Sequence, residues 1–466
     1  MSVDNTRHSP TEIEAMLLGK KRLWFIGIGG IHMCALALLS RARGFFVAGS
    51  DLSNNENVAR LHRAGVTVYP QHDAAQIAGF DAVIYTLAIT PDNPEFEAAR
   101  RAGLPLFSRA DYLGWLMSGY PSRIGVAGSH GKSTVTAMLG EIFDVAGRAP
   151  NTVCGAVMPR FGAPFSVGGG SDFIFEACEY RNSFLSLSPT LAVILNAELD
   201  HVDFFENNAA LLASFGTFAA TAHRAVLPGD DPALLTAVPR AVMRTTFGLS
   251  PHADYHPAQL RLENGFSRFD LVTPQGSVGR VSLRVAGVHN VKNALAAAAA
   301  AILSGVSATD VLAALHGFQG AARRMEYRGI LCGARVFDDY AHHPSEIAAS
   351  LAAAREMLDT GRLFVLFQSH TYSRTAAFFE EITAALRAAD RVFIADIYAA
   401  REQNTLGMSA ARLAHGVGDR ASYAGGLSDT AAALTKELMP GDILVVMGAG
   451  DIDSIFGEFS KKHFTL

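Results

Sequence analysis

Cysteine is scarce: 466 residues carry four, Cys34, Cys154, Cys178 and Cys332, widely scattered and with no C-x-x-C pair. That spacing excludes a disulfide framework and a zinc ribbon, and the thiols are expected to be reduced. Long apolar runs are missing as well. No stretch reaches the ~20 residues of a membrane-spanning helix. The first residues, "MSVDNTRHSPTEIEAM", lack the basic-then-apolar pattern of a secretory signal. The expected location is cytoplasmic, without membrane insertion. Nor is there a surplus of positive charge. Lys+Arg number 39 against 44 Asp+Glu, a net charge of −5 with no long basic run. The electrostatic footprint of a nucleic-acid binder is therefore absent. Small anionic ligands need only local donors, and they stay open.

What is present is alternation. Short Val/Ile/Phe-rich segments alternate with longer helical patterns, which predicts an α/β class with parallel sheets and crossover helices. "RLWFIG", "FFVAGSD" and "DAVIYTLAI" read as strands, and "SRADYLGWLM" as a helix before a break at "SGYPS". A second series holds "RIGVAGS", "DFIFEA", "TLAVILN" and "RAVLPGDD", then an alanine-rich helix in "HNVKNALAAAAAAILSG". Alanine is the best helix former, so that run needs no low-complexity explanation. A third series, "ARVFDDY", "RLFVLFQ", "RVFIADIY" and "DILVVMGAG", begins after "GFQGAARRMEYRG". The boundaries expected from these breaks are 1–120, 121–325 and 326–466. A hinge is expected between Ala321 and Gly329. Parallel sheets place ligand sites at the carboxyl ends of their strands, where the polar loops of this sequence lie.

Two of those loops are rich in glycine. "FIGIGGIHM" sets Gly27, Gly29, Gly30, Ile31 and His32 at a strand-to-helix turn, with His32 in the third position of a G-x-G-x-x-G pattern. Asp51 ends the next strand, where a dinucleotide fold holds a ribose hydroxyl. NAD, another pyrophosphate and a purely structural turn all remain open for this loop. "GVAGSHGKST" supplies Gly128, Ser129, Gly131, Lys132, Ser133 and Thr134. Amides of such a loop cradle phosphate, lysine reaches the terminal phosphates and the next hydroxyl suits Mg²⁺. The strict Walker spacing fails, because Val126 stands where the first glycine belongs.

Polar side chains cluster at later strand ends. "FEACEY" offers Glu176 and Glu179, and "LNAELDHVDFF" offers Asn196, Glu198, Asp200, His201 and Asp203. Carboxylates with one imidazole suit Mg²⁺ facing the lysine loop better than zinc. "GVHNVKNA" contains His289, Asn290 and Asn293. An asparagine fits an adenine edge, although Asn290 also reads as an N-cap. Arg323, Arg324, Asp338, Asp339, His342, His343, His370 and Arg374 follow in "RRMEYRG", "DDYAHHPSE" and "FQSHTYSRT". Arginine clamps carboxylate or phosphate, whereas vicinal histidines in a loop are often merely exposed.

Taken in order, "GIGGIHM", "GSD", "GSHGKST", "EACEY", "LNAELDHVD", "HNVKNALAA", "RRMEY", "DDYAHHPSE", "FQSHTYSRT", "IYAARE" and "GAGDI" resemble the Mur ligase family from Leu23 to Ile452. The resemblance implies three domains: an N-terminal Rossmann-like one for a UDP-sugar, a central P-loop ATPase-like one, and a C-terminal Rossmann-like one that brings the amino acid and closes over ATP. It implies ATP-dependent joining of L-alanine to the carboxylate of UDP-N-acetylmuramate through an acyl phosphate, in peptidoglycan precursor synthesis. ATP and Mg²⁺ are the implied cofactors, and monomer or homodimer the expected assembly. A recycling ligase that adds a tripeptide is the runner-up, and an NAD-dependent oxidoreductase a distant third.

By position, the resemblance assigns Gly27, Gly29, Gly30, Ile31, His32 and Asp51 to the UDP-sugar. It assigns the nucleotide to Gly128, Ser129, Gly131, Lys132, Ser133, Thr134, Asn290, Asn293, Arg324 and Asp339. Metal falls to Ser133, Glu176, Glu179 and His201, and catalysis to Lys132, Glu179, His201, His343 and Arg374. His343 and Arg374 would face the reacting carboxylate or the incoming amino acid. Three positions depart from the family's commoner residues: His32 for glycine or serine, Cys178 for aspartate, and Ser369 for proline.

Overall fold

The computed structural model describes residues 8–202, 204–400, 402–459 and 464–465. By its internal contacts the chain divides into two compact units. The first comprises Met1–Ala197, Leu212–Thr246 and Ala296–Val311; the second comprises Glu198–Leu211, Phe247–Leu295 and Leu312–Leu466.

In the first unit, five parallel strands run in the order Thr67–Tyr69, Phe46–Ser50, Arg22–Ile26, Ala82–Tyr85 and Leu106–Ser108. A seven-stranded sheet follows in the order Met243–Phe247, Arg224–Pro228, Leu191–Ile194, Ser122–Ala127, Asp172–Glu176, Asn151–Met158 and Ala163–Ser166. Its centre is parallel, and the edge pair Asn151–Met158 with Ala163–Ser166 is antiparallel.

The second unit holds an antiparallel sheet of His256–Glu263, Phe266–Thr273 and Gly276–Ala286. It also holds a seven-stranded sheet in the order Ala421–Tyr423, Arg391–Ile394, Leu363–Gln368, Ile443–Gly448, Ala334–Asp339, Glu326–Leu331 and Phe464–Thr465.

Every strand read from the sequence is present, and most stop short of the segments quoted. "DAVIYTLAI", for example, stops at Tyr85, and the Thr86 hydroxyl then accepts from the Ala88 amide in a turn. Leu363–Gln368 shows why these strands read as unbroken apolar runs. Leu363, Val365 and Phe367 pack into one core layer, while Phe364 and Leu366 pack into the other. A parallel strand covered on both faces has no solvent side to encode. The alanine helix Val288–Leu303 buries Ala294 and Ala296 through Ala301 completely. Near the expected hinge, Arg323 (φ 56°) and Met325 (φ 49°) adopt left-handed backbone conformations, uncommon for residues with side chains.

Among the described residues, no helix is long and apolar enough to cross a membrane.

Candidate active site

The first glycine loop leaves the strand Arg22–Ile26 through Gly27 (φ 76°) and enters the helix Ile31–Ala42, whose N-cap Gly30 offers no side-chain cap. The first-turn amides are thus left to an external acceptor. Asp51 sets the loop. Its Oδ2 accepts from the Gly29 amide at 2.8 Å, and its Oδ1 accepts from the Ser53 amide at 2.9 Å and from the Ser53 hydroxyl at 2.5 Å. A Cβ on Gly29 would lie 2.9 Å from Oδ2 and 2.7 Å from Val58, so glycine is needed there for close approach. His32 lies in the first turn, where its Nδ1 accepts from Arg109. Burial and the Arg109 charge push the imidazole pKa down to about 4, so the ring is neutral at ordinary pH.

The second loop connects the strand Ser122–Ala127 to the helix Lys132–Val145, which starts one residue before the sequence suggests. Gly128 (φ 139°) and Gly131 (φ 83°) take conformations closed to other residues at little cost. Asn196 clips the loop by two bonds, its Oδ1 accepting from the His130 amide at 2.9 Å and its Nδ2 donating to the His130 carbonyl at 3.1 Å. Lys132 Nζ donates to the carbonyls of Gly128 (2.5 Å) and Ser129 (3.1 Å) and pairs with Glu179 at 3.0 Å. Burial works against the ammonium, but the Glu179 charge outweighs it, and the lysine pKa is raised. Ser133 Oγ donates to Glu176 Oε2 at 2.9 Å, the oxygen that also accepts from the Gly155 amide at 2.6 Å. Thr134 is buried in the same first turn. The glycine loop with its helix start, and the end of the strand Asp172–Glu176 with the residues after it, thereby bring together Lys132, Ser133, Glu176 and Glu179. Burial, with Glu179 adding to it, pushes the Cys178 thiol up to about 11.

The other candidates belong to the second unit. His201 (φ 54°) follows Asp200, whose Oδ1 accepts from the His201 amide at 2.7 Å. Asp200 also accepts from Arg374 Nη2 at 2.7 Å and Nε at 3.1 Å, with both side chains buried. Burial alone would raise the Asp200 pKa; the arginine overrides it and holds the carboxyl well below its usual range. Arg374, read from sequence as facing a substrate group, is thus engaged by Asp200. Asn290 stands inside the helix Val288–Leu303, donating from Nδ2 to the Ala286 carbonyl at 2.7 Å, so the N-cap alternative is corrected. Its Oδ1 accepts from Asn293 Nδ2 at 3.0 Å.

Arg324 pairs with Glu346 at 3.4 Å. Asp339 accepts from the Ser350 hydroxyl at 2.7 Å and the Ala341 amide at 2.9 Å, and burial pushes its pKa up to about 6. His343 caps the helix Pro344–Glu356 and meets Ser345 Oγ at 2.7 Å. His342 and His343 are not the exposed pair that a loop would suggest: His343 is buried and His342 half-buried. Asp203 lies outside the described residues. Arg109 is the functional candidate that sequence reasoning missed. Its only local signal is a cation opening an otherwise ordinary helix.

The chain is similar to known proteins along most of its length. Residues 22–121 match the Mur ligase family catalytic domain, 126–301 the Mur ligase middle domain, and 323–450 the Mur ligase glutamate ligase domain. The UDP-N-acetylmuramate–L-alanine ligase of Caldicellulosiruptor bescii is 37% identical over 449 residues, covering 95% of this chain and 98% of that protein. The enzyme of the same name from Lachnospira eligens is 40% identical over 452 residues, covering 94% and 97%. Among solved structures, the UDP-N-acetylmuramate-alanine ligase of Thermotoga maritima superposes with a TM-score of 0.81 at 26% identity, covering 95% of this chain and 98% of that one. A murein peptide ligase from Psychrobacter arcticus shares the fold, with a TM-score of 0.72 at 24% identity over 94% and 97% of the two chains. On matches that run along nearly its whole length, the chain belongs to the Mur ligase family.

Proposed function

We propose that this protein joins L-alanine to the carboxylate of UDP-N-acetylmuramate at the expense of ATP, in the cytoplasm, as a step of peptidoglycan precursor synthesis. The observation that carries the reading is the set of Lys132, Ser133, Glu176 and Glu179 around the Gly128–Gly131 loop, in a chain similar throughout to ligases of that name. Segments 1–120, 121–325 and 326–466 would then bind the UDP-sugar, bind ATP, and bring the amino acid.

A carboxylate resists attack by an amine because its oxygen leaves badly. In the proposed sequence one carboxylate oxygen attacks the γ-phosphorus of ATP, ADP departs, and an acyl phosphate forms. The alanine amine then attacks the acyl carbon and loses a proton, and inorganic phosphate departs with the former carboxylate oxygen. Lys132 and the loop amides hold the phosphate oxygens in line and offset their charge during transfer. Asn290, Asn293, Arg324 and Asp339 are proposed to hold the nucleotide, and His343 and Arg374 to order the amino-acid side.

The donors around Ser133 suit a hard cation: a hydroxyl and two carboxylates, with no thiolate engaged. Ser133, Glu176, Glu179 and His201 would hold Mg²⁺, which when bound supplies Lewis-acid stabilisation of the transferring phosphoryl oxygens. An NAD reading fares worse, because it leaves the set of Lys132, Ser133, Glu176 and Glu179 without a function. The tripeptide alternative is disfavoured by the short turn Tyr180–Ser186 between Glu179 and the next strand. The test is ADP release with UDP-N-acetylmuramate against a panel of amino acids and peptides. Turnover should need both substrates and be most efficient with L-alanine, with leakage to glycine or serine, since one methylene discriminates by only about 1–3 kcal/mol. Turnover with a tripeptide but no single amino acid would overturn the assignment.

A further inference from the structure

Arg109 opens the helix Arg109–Ser118, directly after its N-cap Ser108. Its Nη1 donates to His32 Nδ1, 77 residues earlier in the chain. A guanidinium has five donors and no acceptor, so Nδ1 must carry the lone pair, and His32 is neutral with its proton on Nε2. The histidine therefore directs the arginine without neutralising it. Among the described residues Arg109 forms no ion pair. Of the groups whose charge acts on it, the Cys178 thiol is held neutral at ordinary pH by its raised pKa, and Glu176 is already engaged by Ser133 and Gly155. The guanidinium is half-buried, and taking a cation out of water without a counter-charge is costly unless an anion completes it.

The position of His32 says which anion. It is the second residue of the helix Ile31–Ala42, whose uncapped first-turn amides present donors to an oxyanion. Its bond ties the Arg109 fork to that turn. We propose that Arg109 is a substrate-binding residue for the diphosphate of the UDP-linked sugar, with His32 as its positioning residue. This rests on the reading that the first glycine loop takes a UDP-sugar. It also gives the histidine in the third glycine position a function: it fills the space a glycine would leave and uses its ring to deliver a bidentate cation.

The experiment is calorimetry on the full chain with uridine, UDP, UDP-N-acetylglucosamine and UDP-N-acetylmuramate, and with a non-hydrolysable ATP analogue as control. Arg109→Ala should weaken all three diphosphate ligands by a similar factor, about ten- to a hundredfold, as expected for one charge-assisted pair. Uridine and the ATP analogue should bind as to the wild type. Arg109→Lys keeps the cation but loses the fork, so it should fall between the two and serves if Arg109→Ala does not fold. His32→Gly should raise KM for the UDP-sugar with kcat unchanged, and His32→Gln, which keeps an acceptor, should restore it. A loss confined to UDP-N-acetylmuramate would give Arg109 to the muramyl carboxylate and overturn the proposal, as would unchanged affinity for every ligand. Wild-type protein that bound no UDP ligand at all would instead overturn the substrate reading beneath it.

Discussion

Lys132 and Ser133 are neighbours in sequence but answer to different carboxylates, Glu179 and Glu176. That division gives each residue a separable defect. Alanine at Glu179 or His201 should cut kcat strongly and leave UDP-sugar affinity nearly unchanged, and excess Mg²⁺ or Mn²⁺ should partly rescue both. Lys132→Ala should not be rescued, because the missing cation belongs to the protein. Single-turnover ADP formation across metal concentrations checks this, and wild-type rates in both metal-ligand variants would contradict it.

A second residue-scale prediction concerns Asp338, whose pKa is pushed up to about 6 by burial, against the pull of Arg323. A raised carboxyl pKa means that the folded state binds the proton more tightly than the unfolded state. The stability this group contributes is therefore full below the ordinary Asp value and is lost as pH rises from about 4 to about 6. Asp338→Asn should remove that decline. Denaturant unfolding at several pH values between 4 and 7 would show a flatter profile in the variant, and an identical slope would refute the assignment.

At the scale of elements, what the sequence disclosed depended on how local each signal was. The lysine loop, its strand and its helix are contiguous, so Gly128, Gly131, Lys132 and Ser133 could be read directly. Glu176 and Glu179 end an apolar strand, and parallel sheets put such ends beside the loop. The fate of Arg374 could not be read, because its partner Asp200 lies 174 residues away. Arg109 was hidden for the same reason. The antiparallel strands His256–Ala286 were also missed, since their half-buried alternation carries no long apolar run. Asp51 was legible as a strand-end carboxylate, but its work inside the loop was not. It holds the Gly29 amide and the turn that follows. Asp51→Ala should weaken UDP-sugar binding by roughly 1.5–3 kcal/mol, the range for a charge-assisted hydrogen bond, and spare ATP-analogue binding. Calorimetry with both ligands decides, and unchanged UDP-sugar affinity would remove Asp51 from the loop's function.

For the molecule as a whole, the proposed reaction gives a reason for two glycine loops in one polypeptide: it brings two phosphorylated compounds to one bond-forming event. On the proposed reading the first loop would anchor a substrate through a diphosphate that takes no part in the chemistry, and the second would hold the phosphate that moves. Both loops lie in the first unit, each at the carboxyl end of a central parallel strand, Arg22–Ile26 in one sheet and Ser122–Ala127 in the other. If ATP activates the muramyl carboxylate before alanine attacks, oxygen-18 placed in that carboxylate follows the oxygen that is transferred. Turnover with ATP and L-alanine should move one labelled oxygen per cycle into inorganic phosphate and leave the other in the new amide. Amide product formed with unlabelled phosphate would contradict it.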